Sequence, residues 1–390
     1  MTVRTVLRAF SISACLVPFA VTPALAANPA TIQIVVSKQT QSLTVYEDGK
    51  AVAQSRVSTG KEGHDTPSGI FSVIQKAKYH ESNLYSNAPM PWMQRLTWSG
   101  IALHESSSVP NFPASHGCVR LPSEFARKLY GMTTMGAQVI ITDGVVAPAP
   151  IGHPMLFFPP SQKGGEQRLS DVQLRGIDTT SRDGPVEVAL AEPAPSRADT
   201  PDVALRILIT LRGDREVMHD VQEQLTGLGF ETGGVDGQAG SLTRQAILGF
   251  KRWKGLPLRG PLITPAFLAQ LQATTGAEPQ PDGQIYIRRN FAPLTERAIR
   301  IDEPKRPLGT HVIEATKVSH ASADATWNAM TLEPAAGQTL AAVMDRIHIP
   351  DDLRRDIEQQ LAAGTSITIT DHGLGEETAD GTDFITVLPK

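Results

Sequence analysis

The stretch that decides the fold runs from Leu103-His104-Glu105 to Ser115-His116-Gly117-Cys118-Val119-Arg120, a histidine and a cysteine separated by a short loop. A thiol attacks a carbonyl as thiolate, so it needs a nearby base or cation to lower its pKa. His104 ends a strand-like segment, TWSGIALH. Cys118 sits on a Gly-containing turn just before Pro122-Ser123 opens a short helix, EFARKLY, closed by Gly131. The intervening loop can fold His104 back onto the sulfur. Gly117 lets the backbone pass close to a ligand, and the N–H groups beside it are placed to hold an oxyanion. Arg120, two residues from the sulfur, is a fixed cation suited to a substrate carboxylate. Two other readings compete: a buried, inert cysteine, and a metal ligand. The metal reading wants several soft ligands at short spacing, and no second Cys stands near.

Outward from this motif, residues 30–144 have the pattern of a β-rich domain. IQIVV (32–36) and SLTVYE (42–47) are strand-like, and Asp48-Gly49 makes a hairpin turn into AVAQSRVS (51–58). Thr66-Pro67-Ser68-Gly69 is a further turn, leading into the strand-like IFSVI, and AQVIITDG returns as a strand after the helix. His64 and His80 read as exposed loop histidines rather than pocket groups.

The first residues, MTVRTVLRAFSISACLVPFAVTPALAANPA, read as a secretory signal: Arg4 and Arg8 lead, an apolar run spans Ala9 to Val21, and Ala24-Leu25-Ala26 is a small-x-small cleavage site. Cys15 also stands in a lipoprotein-like box, but the apolar run before it is short. Removing residues 1–26 takes two arginines and no acids, moving the formal charge from −4 to −6. That sign argues against nucleic acid as the main partner. It also leaves Cys118 alone, without an internal disulfide partner and therefore inert, an intermolecular staple, or reactive. The expected location is the periplasm or cell envelope, with no membrane span in the mature chain.

At 390 residues two or three domains are expected. Residues 145–203 are rich in proline and small polar residues and read as a linker with one ordered piece. Residues 204–276 turn helical, with apolar spacing in VMHDVQEQLTGLGF, LTRQAILGFKRW and TPAFLAQLQ. A second linker, 277–283, precedes an α+β region, 284–390, with strands QIYIRR, SITIT and DFITVL and a helix from Pro350.

The cysteine motif resembles the L,D-transpeptidase (YkuD-type) catalytic domain, whose signature is a His, a loop, then [ST]-H-G-C-[hydrophobic]-[NR]; Ser115 through Arg120 fill it without a gap. The turn TGKEGHDTPSG upstream looks like that family's as well, and Glu105 departs from the Gly often found after the first His. The resemblance implies a mainly β, sandwich-like catalytic domain over about residues 30–144. It implies Cys118 as acyl carrier, His104 as general base, His116 as a second site histidine, and Gly117 as the pocket's backbone turn. The chemistry is then two acyl transfers on peptidoglycan stem peptides, with the thioester passing to an amine, to an attached protein, or to water, and with no metal or cofactor. Such a site is also expected to be acylated by carbapenem-type β-lactams. Residues 204–276 resemble a three-helix peptidoglycan-binding module through Val221-Gln222-x-x-Leu225, Gly229-Phe230, Val235-Asp236-Gly237, Thr243-x-x-Ala246-Ile247 and Phe250. Arg244, Lys251, Arg252 and Lys254 either meet wall carboxylates there or form a solvated face.

Residues 284–390 echo the first domain. Pro67-Ser68-Gly69-Ile70 matches Pro307-Leu308-Gly309-Thr310, and Thr97-Trp98 with Leu103-His104 matches Thr326-Trp327 with Leu332-Glu333. Leu121-Pro122 matches Ile349-Pro350, each proline fourteen residues before a glycine, Gly136 or Gly364. The third region is thus expected to be either a catalytically dead copy, with Glu333 at the base position and Arg346 near the nucleophile position, or an unrelated unit. Strand order decides between them. For the whole chain, a transpeptidase, a thioester hydrolase and a non-catalytic wall-binding scaffold are the competing functions.

Overall fold

The structure, a computed structural model, describes residues 30–82, 87–160 and 203–389; the expected signal and most of the linker lie outside them. The N-terminal part contains β1 (Ile32–Ser37), β2 (Ser42–Glu47), β3 (Lys50–Arg56), β4 (Gly69–Ser72), β5 (Gln75–Ala77), β6 (Met93–Arg95), β7 (Ala102–Glu105), β8 (Val119–Leu121), α1 (Ser123–Met132) and β9 (Gln138–Thr142). After it come β10 (Ala149–Ile151), β11 (Arg206–Leu211), then three helices, α2 (Asp214–Gly227), α3 (Ser241–Trp253) and α4 (Pro265–Thr275). The chain finishes with β12 (Gly283–Arg289), β13 (Ala292–Ile301), β14 (Thr310–Ser319), β15 (Asp324–Glu333), α5 (Leu340–Met344), β16 (Ile347–His348), α6 (Asp351–Gln359), β17 (Ser366–Thr370) and β18 (Thr386–Val387).

Strand order resolves the repeat. One sheet runs β18-β4-β9-β1-β2-β3 and another β10-β15-β14-β17-β11-β12-β13-β16. The five-strand segments β4-β9-β1-β2-β3 and β14-β17-β11-β12-β13 match in order and direction. β1/β9 and β11/β17 are the parallel pairs, and the other pairs within each segment are antiparallel. Even the irregularities coincide: the hairpins β2–β3 and β12–β13 each carry a bulge three residues before the turn, at Val45/Tyr46 and Ile287/Arg288. Each turn has two positive-φ residues, Asp48-Gly49 and Asn290-Phe291. Each helix before the returning strand starts after a proline of near-identical geometry, Pro122 (φ −58°, ψ 144°) and Pro350 (φ −55°, ψ 142°).

The copy, however, starts earlier than residue 284. Its first strand is β11, in a stretch whose sequence reads as the start of the helical region, and the three helices are inserted between its first and second strands. RILITL is apolar on both faces because it lies centrally between β17 and β12. Such a run carries no period by which to tell strand from helix. Two further segments serve a sheet other than the expected one. β10 and Met155-Leu156-Phe157, from the proline-rich stretch, pack onto the copy, where Trp327 Nε1 donates to the Phe157 carbonyl at 3.1 Å. β18, from DFITVL, pairs with β4 and sends Ile385 into the catalytic core. Both cover edges that would otherwise expose unpaired N–H and C=O groups.

The two sheets pack face to face through Val35, Ile70 and Ile140 on one side and Val312 and Met330 on the other. Glu314 of β14 lies beside this contact, 6% exposed, lining a cleft of about 350 Å³ with Arg206 and Asp383. Burial pushes its carboxyl up to about 7; Arg206 opposes the shift and Asp48 adds to it. Arg206 is spent on the Gly136 and Gly364 carbonyls and on Asp383. A carboxyl with a folded-state pKa above its unfolded value binds its proton more tightly when folded. Its contribution is therefore intact below about pH 4.5, declines as pH rises to 7, and is constant beyond. Glu314→Gln, which cannot ionise, is expected to stabilise the protein at pH 8 relative to pH 4 by about 3 kcal/mol more than wild type. Paired urea titrations at the two pH values read this directly, and parallel wild-type and variant profiles would refute it.

Candidate active site

The site lies on the four-stranded sheet β5-β6-β7-β8. β7 and β8 run parallel, with Leu103 opposite Val119 and His104 opposite Arg120. Continuing that register sets Ala102 beside Cys118, so Ala102, His104, Cys118 and Arg120 share one face. The other face sends Leu103, Val119 and Leu121 into the core. The Cα atoms of His104 and Cys118 then stand about 8 Å apart on neighbouring strands, within reach of their side chains.

The turn that carries the cysteine is tied from within. Ser115 Oγ donates to the Cys118 carbonyl at 2.5 Å and accepts from Gly117 N–H at 3.1 Å. Thr66 Oγ1 donates to the Gly117 carbonyl at 2.6 Å and accepts from Gly60 N–H at 2.8 Å. Gly117 has φ +112°, and a Cβ there would lie 3.0 Å from Ile101 Cδ1, so only glycine fits without displacement. At Gly60 a Cβ would collide with the His64 carbonyl. The Ser115 hydroxyl and the Gly117 N–H are thus committed to the turn and do not face a ligand.

Cys118 is partly exposed and packs against the buried cluster of Met90, Met93 and Ala102. It donates to the Gly100 carbonyl at 3.3 Å. Burial pushes the thiol up, while the Ala102 N–H, Arg95 and Arg120 pull it down in that order. His104 is buried, and burial lowers its imidazole to about 4, the Glu105 carbonyl opposing and Arg120 assisting. Its Nδ1 lies 2.7 Å from that carbonyl, which can only accept. Nδ1 therefore carries the proton, and Nε2 keeps a free lone pair. His116 is exposed at the rim, its ring edge-on to His64 at 4.8 Å. Its pKa is lowered by desolvation and then by Lys61, His64 and Arg120.

Sequence reasoning passed over Arg95 and Thr66. Thr66 lies in a recognised turn, but nothing local shows that its hydroxyl crosses to residue 117. Arg95 reaches the site through strand register alone. His80, read as a loop residue, lies 3.2 Å from the Arg95 guanidinium. In the helical unit Lys251 is buried, donating to the Pro261 carbonyl at 3.0 Å, so it belongs to the packing rather than to a wall-facing surface. Glu333 does not occupy a base position in the copy: it ends β15, accepting from Thr310 and His372 away from Arg346. Among the described residues, His219, Asp220 and Glu223 of α2 place potential metal-ligand atoms within 4.8 Å of one another, but Arg212 already pairs with Asp220.

The L,D-transpeptidase catalytic domain model, YkuD, matches residues 31–141, and the model described as "Putative peptidoglycan binding domain" matches residues 214–260, which hold the first two inserted helices, α2 and α3. The chain belongs to the YkuD family of L,D-transpeptidases. It is 30% identical over 132 residues to the Bacillus subtilis (strain 168) protein named "Putative L,D-transpeptidase YqjB", a span that covers 30% of this chain and 73% of that protein. Among solved structures, an L,D-transpeptidase from Mycobacterium smegmatis is 24% identical with a TM-score of 0.28, covering 29% of this chain and 59% of that one. One from Stackebrandtia nassauensis is 30% identical with a TM-score of 0.28, covering 29% and 56%. The chain thus spans somewhat over half the length of these solved relatives. Among the described residues, no helix is long and apolar enough to cross a membrane.

Proposed function

We propose that the protein is an exported L,D-transpeptidase of the cell envelope, acting on peptidoglycan stem peptides through a thioester on Cys118. The observation that carries this reading is the shared sheet face of a partly exposed thiol and a neutral imidazole whose free nitrogen is Nε2. His104 takes the thiol proton as the sulfur attacks the stem-peptide amide, then delivers it to the departing D-residue amine. The thioester passes to the side-chain amine of a second stem, or to a protein amine, and His104 accepts that amine's proton. Arg120, whose side chain makes no hydrogen bond or ion pair among the described residues, holds a substrate carboxylate. Ser115, Gly117 and Thr66 fix the turn, and His116 and His64 line the entrance. The inserted helices keep the enzyme on its polymer, and the copy carries them. Tyr286 of β12 bonds Glu216 of α2, and Arg215 reaches Glu296 of β13 at 2.9 Å.

Incubation of the mature chain with disaccharide-tetrapeptides, with products weighed by mass spectrometry, tests this reading. Cross-linked dimers with loss of the terminal residue are expected. Tripeptide products alone would replace transfer by hydrolysis, and unchanged substrate together with no acyl-protein adduct would refute the reading.

A further inference from the structure

Burial of the sulfur creates a difficulty that His104 alone does not remove. The apolar floor of Met90, Met93 and Ala102 disfavours an anion. His104, lowered to about 4, is neutral in the resting site: it can receive a proton but carries no charge to hold a thiolate. A fixed cation is needed, and strand register supplies one. Gln75 pairs with Arg95 across β5 and β6, and Arg95 pairs with Ala102 across β6 and β7. The β7–β8 register then continues the row to Cys118. Arg95, Ala102 and Cys118 therefore stand in line on one face, with only the small side chain of Ala102 at the position between the arginine and the cysteine.

The guanidinium is held in place by an amide, an imidazole and an aromatic ring. Arg95 Nε donates to Gln75 Oε1 at 2.8 Å, an Nη lies 3.2 Å from His80 Nε2, and the Trp98 ring lies 5.7 Å from its central carbon. Among the described residues no carboxylate pairs with it; the nearby Glu81 accepts from Tyr79 instead. Its charge is thus available to the site. The other titratable groups around the sulfur are His104 on β7 and Arg120 on β8, with His116 at the rim. Of the two arginines, Arg95 pulls the thiol down more than Arg120 does.

We propose that Arg95 is the charge partner of the Cys118 sulfur, a positioning residue that holds the nucleophile in its reactive anionic form. This rests on Cys118 being the nucleophile, and the test separates the two claims. Iodoacetamide is neutral, so its reaction with the thiolate, which displaces iodide, senses ionisation of the sulfur and not substrate docking. The rate of Cys118 alkylation, followed by peptide mass across pH, gives a midpoint for each variant of the full chain. Arg95→Gln is expected to raise that midpoint by about one pH unit, a roughly ten-fold slower reaction on the acid side, and Arg95→Lys to recover most of the loss. Gln75→Ala, which loosens the tether, is expected to shift it less in the same direction, and it stands in should Arg95→Gln not fold. A midpoint unchanged in the folded variants would overturn the proposal. Product formation retained in a Cys118→Ala protein would instead overturn the nucleophile assignment, whatever the midpoints.

Discussion

Cys118→Ala is expected to abolish both product formation and the covalent adduct with a carbapenem-type β-lactam, a loss on the order of a thousand-fold or more. The fold should hardly notice. The side chain packs on Met90, Met93 and Ala102 and makes one weak bond to the Gly100 carbonyl, so removal of the sulfur costs stability less than about 1 kcal/mol. The two histidines are expected to separate in the same assay. His104→Gln removes the nitrogen lone pair that takes the thiol proton and should lower turnover about a hundred-fold or more. His116→Gln, at the exposed rim, should alter it only several-fold. Because burial holds His104 near 4, its own protonation should cost no turnover as pH drops from 7 to 6, where an ordinary imidazole would become protonated, so any fall in that range reports the thiol. Intact-protein mass after β-lactam exposure, with unfolding curves alongside, reads these outcomes. An adduct on the alanine variant would place the chemistry elsewhere.

What the sequence made legible follows from how local each device is. The hairpin at Asp48-Gly49, the Pro122 helix and the SHGCVR turn are specified within a few residues, and the same local units betrayed the repeat through Pro350 and Gly364. β11 was not legible because a strand buried on both faces carries no alternation. β10 and β18 are short, and only the sheet edges they cover give them a place. The charge environment of Cys118 depends on which strands neighbour one another, so Arg120, two residues away, was seen and Arg95, two strands away, was not. The Glu333 assignment failed for a related reason. Equal spacing along the chain paired Leu103-His104 with Leu332-Glu333, but Leu332-Glu333 lie in β15, an antiparallel partner of β14, and among the described residues β16 pairs antiparallel with β13 rather than in parallel as β8 does with β7.

In the C-terminal half the position that corresponds to Cys118 along the chain is held by a buried arginine. Arg346 lies four residues before Pro350, as Cys118 lies four before Pro122, and β16 pairs with β13 where Arg120 bridges Ser58 after β3. All five guanidinium N–H groups find acceptors: the carbonyls of Asp302 (3.0 Å), Pro307 (3.0 Å), Glu303 (2.9 Å) and Arg306 (2.6 Å), and Gln338 Oε1 (3.0 Å). The residue is 6% exposed, so the loop 302–307 wraps a side chain where the N-terminal half has the free thiol of Cys118. Arg346→Met, of similar length but without donors, should leave these acceptors unpaired and cost about 3 kcal/mol or more. Arg346→Lys keeps the charge but offers three donors in place of five, and should recover only part of that loss. Hydrogen exchange followed by mass spectrometry is the suitable measure, since the loss should fall on peptides covering 300–310 and 338–349. About a hundred-fold faster exchange is expected there for the methionine variant, with α2–α4 and the catalytic sheet little changed. Unaltered protection in those peptides would mean that the loop is held by something other than Arg346.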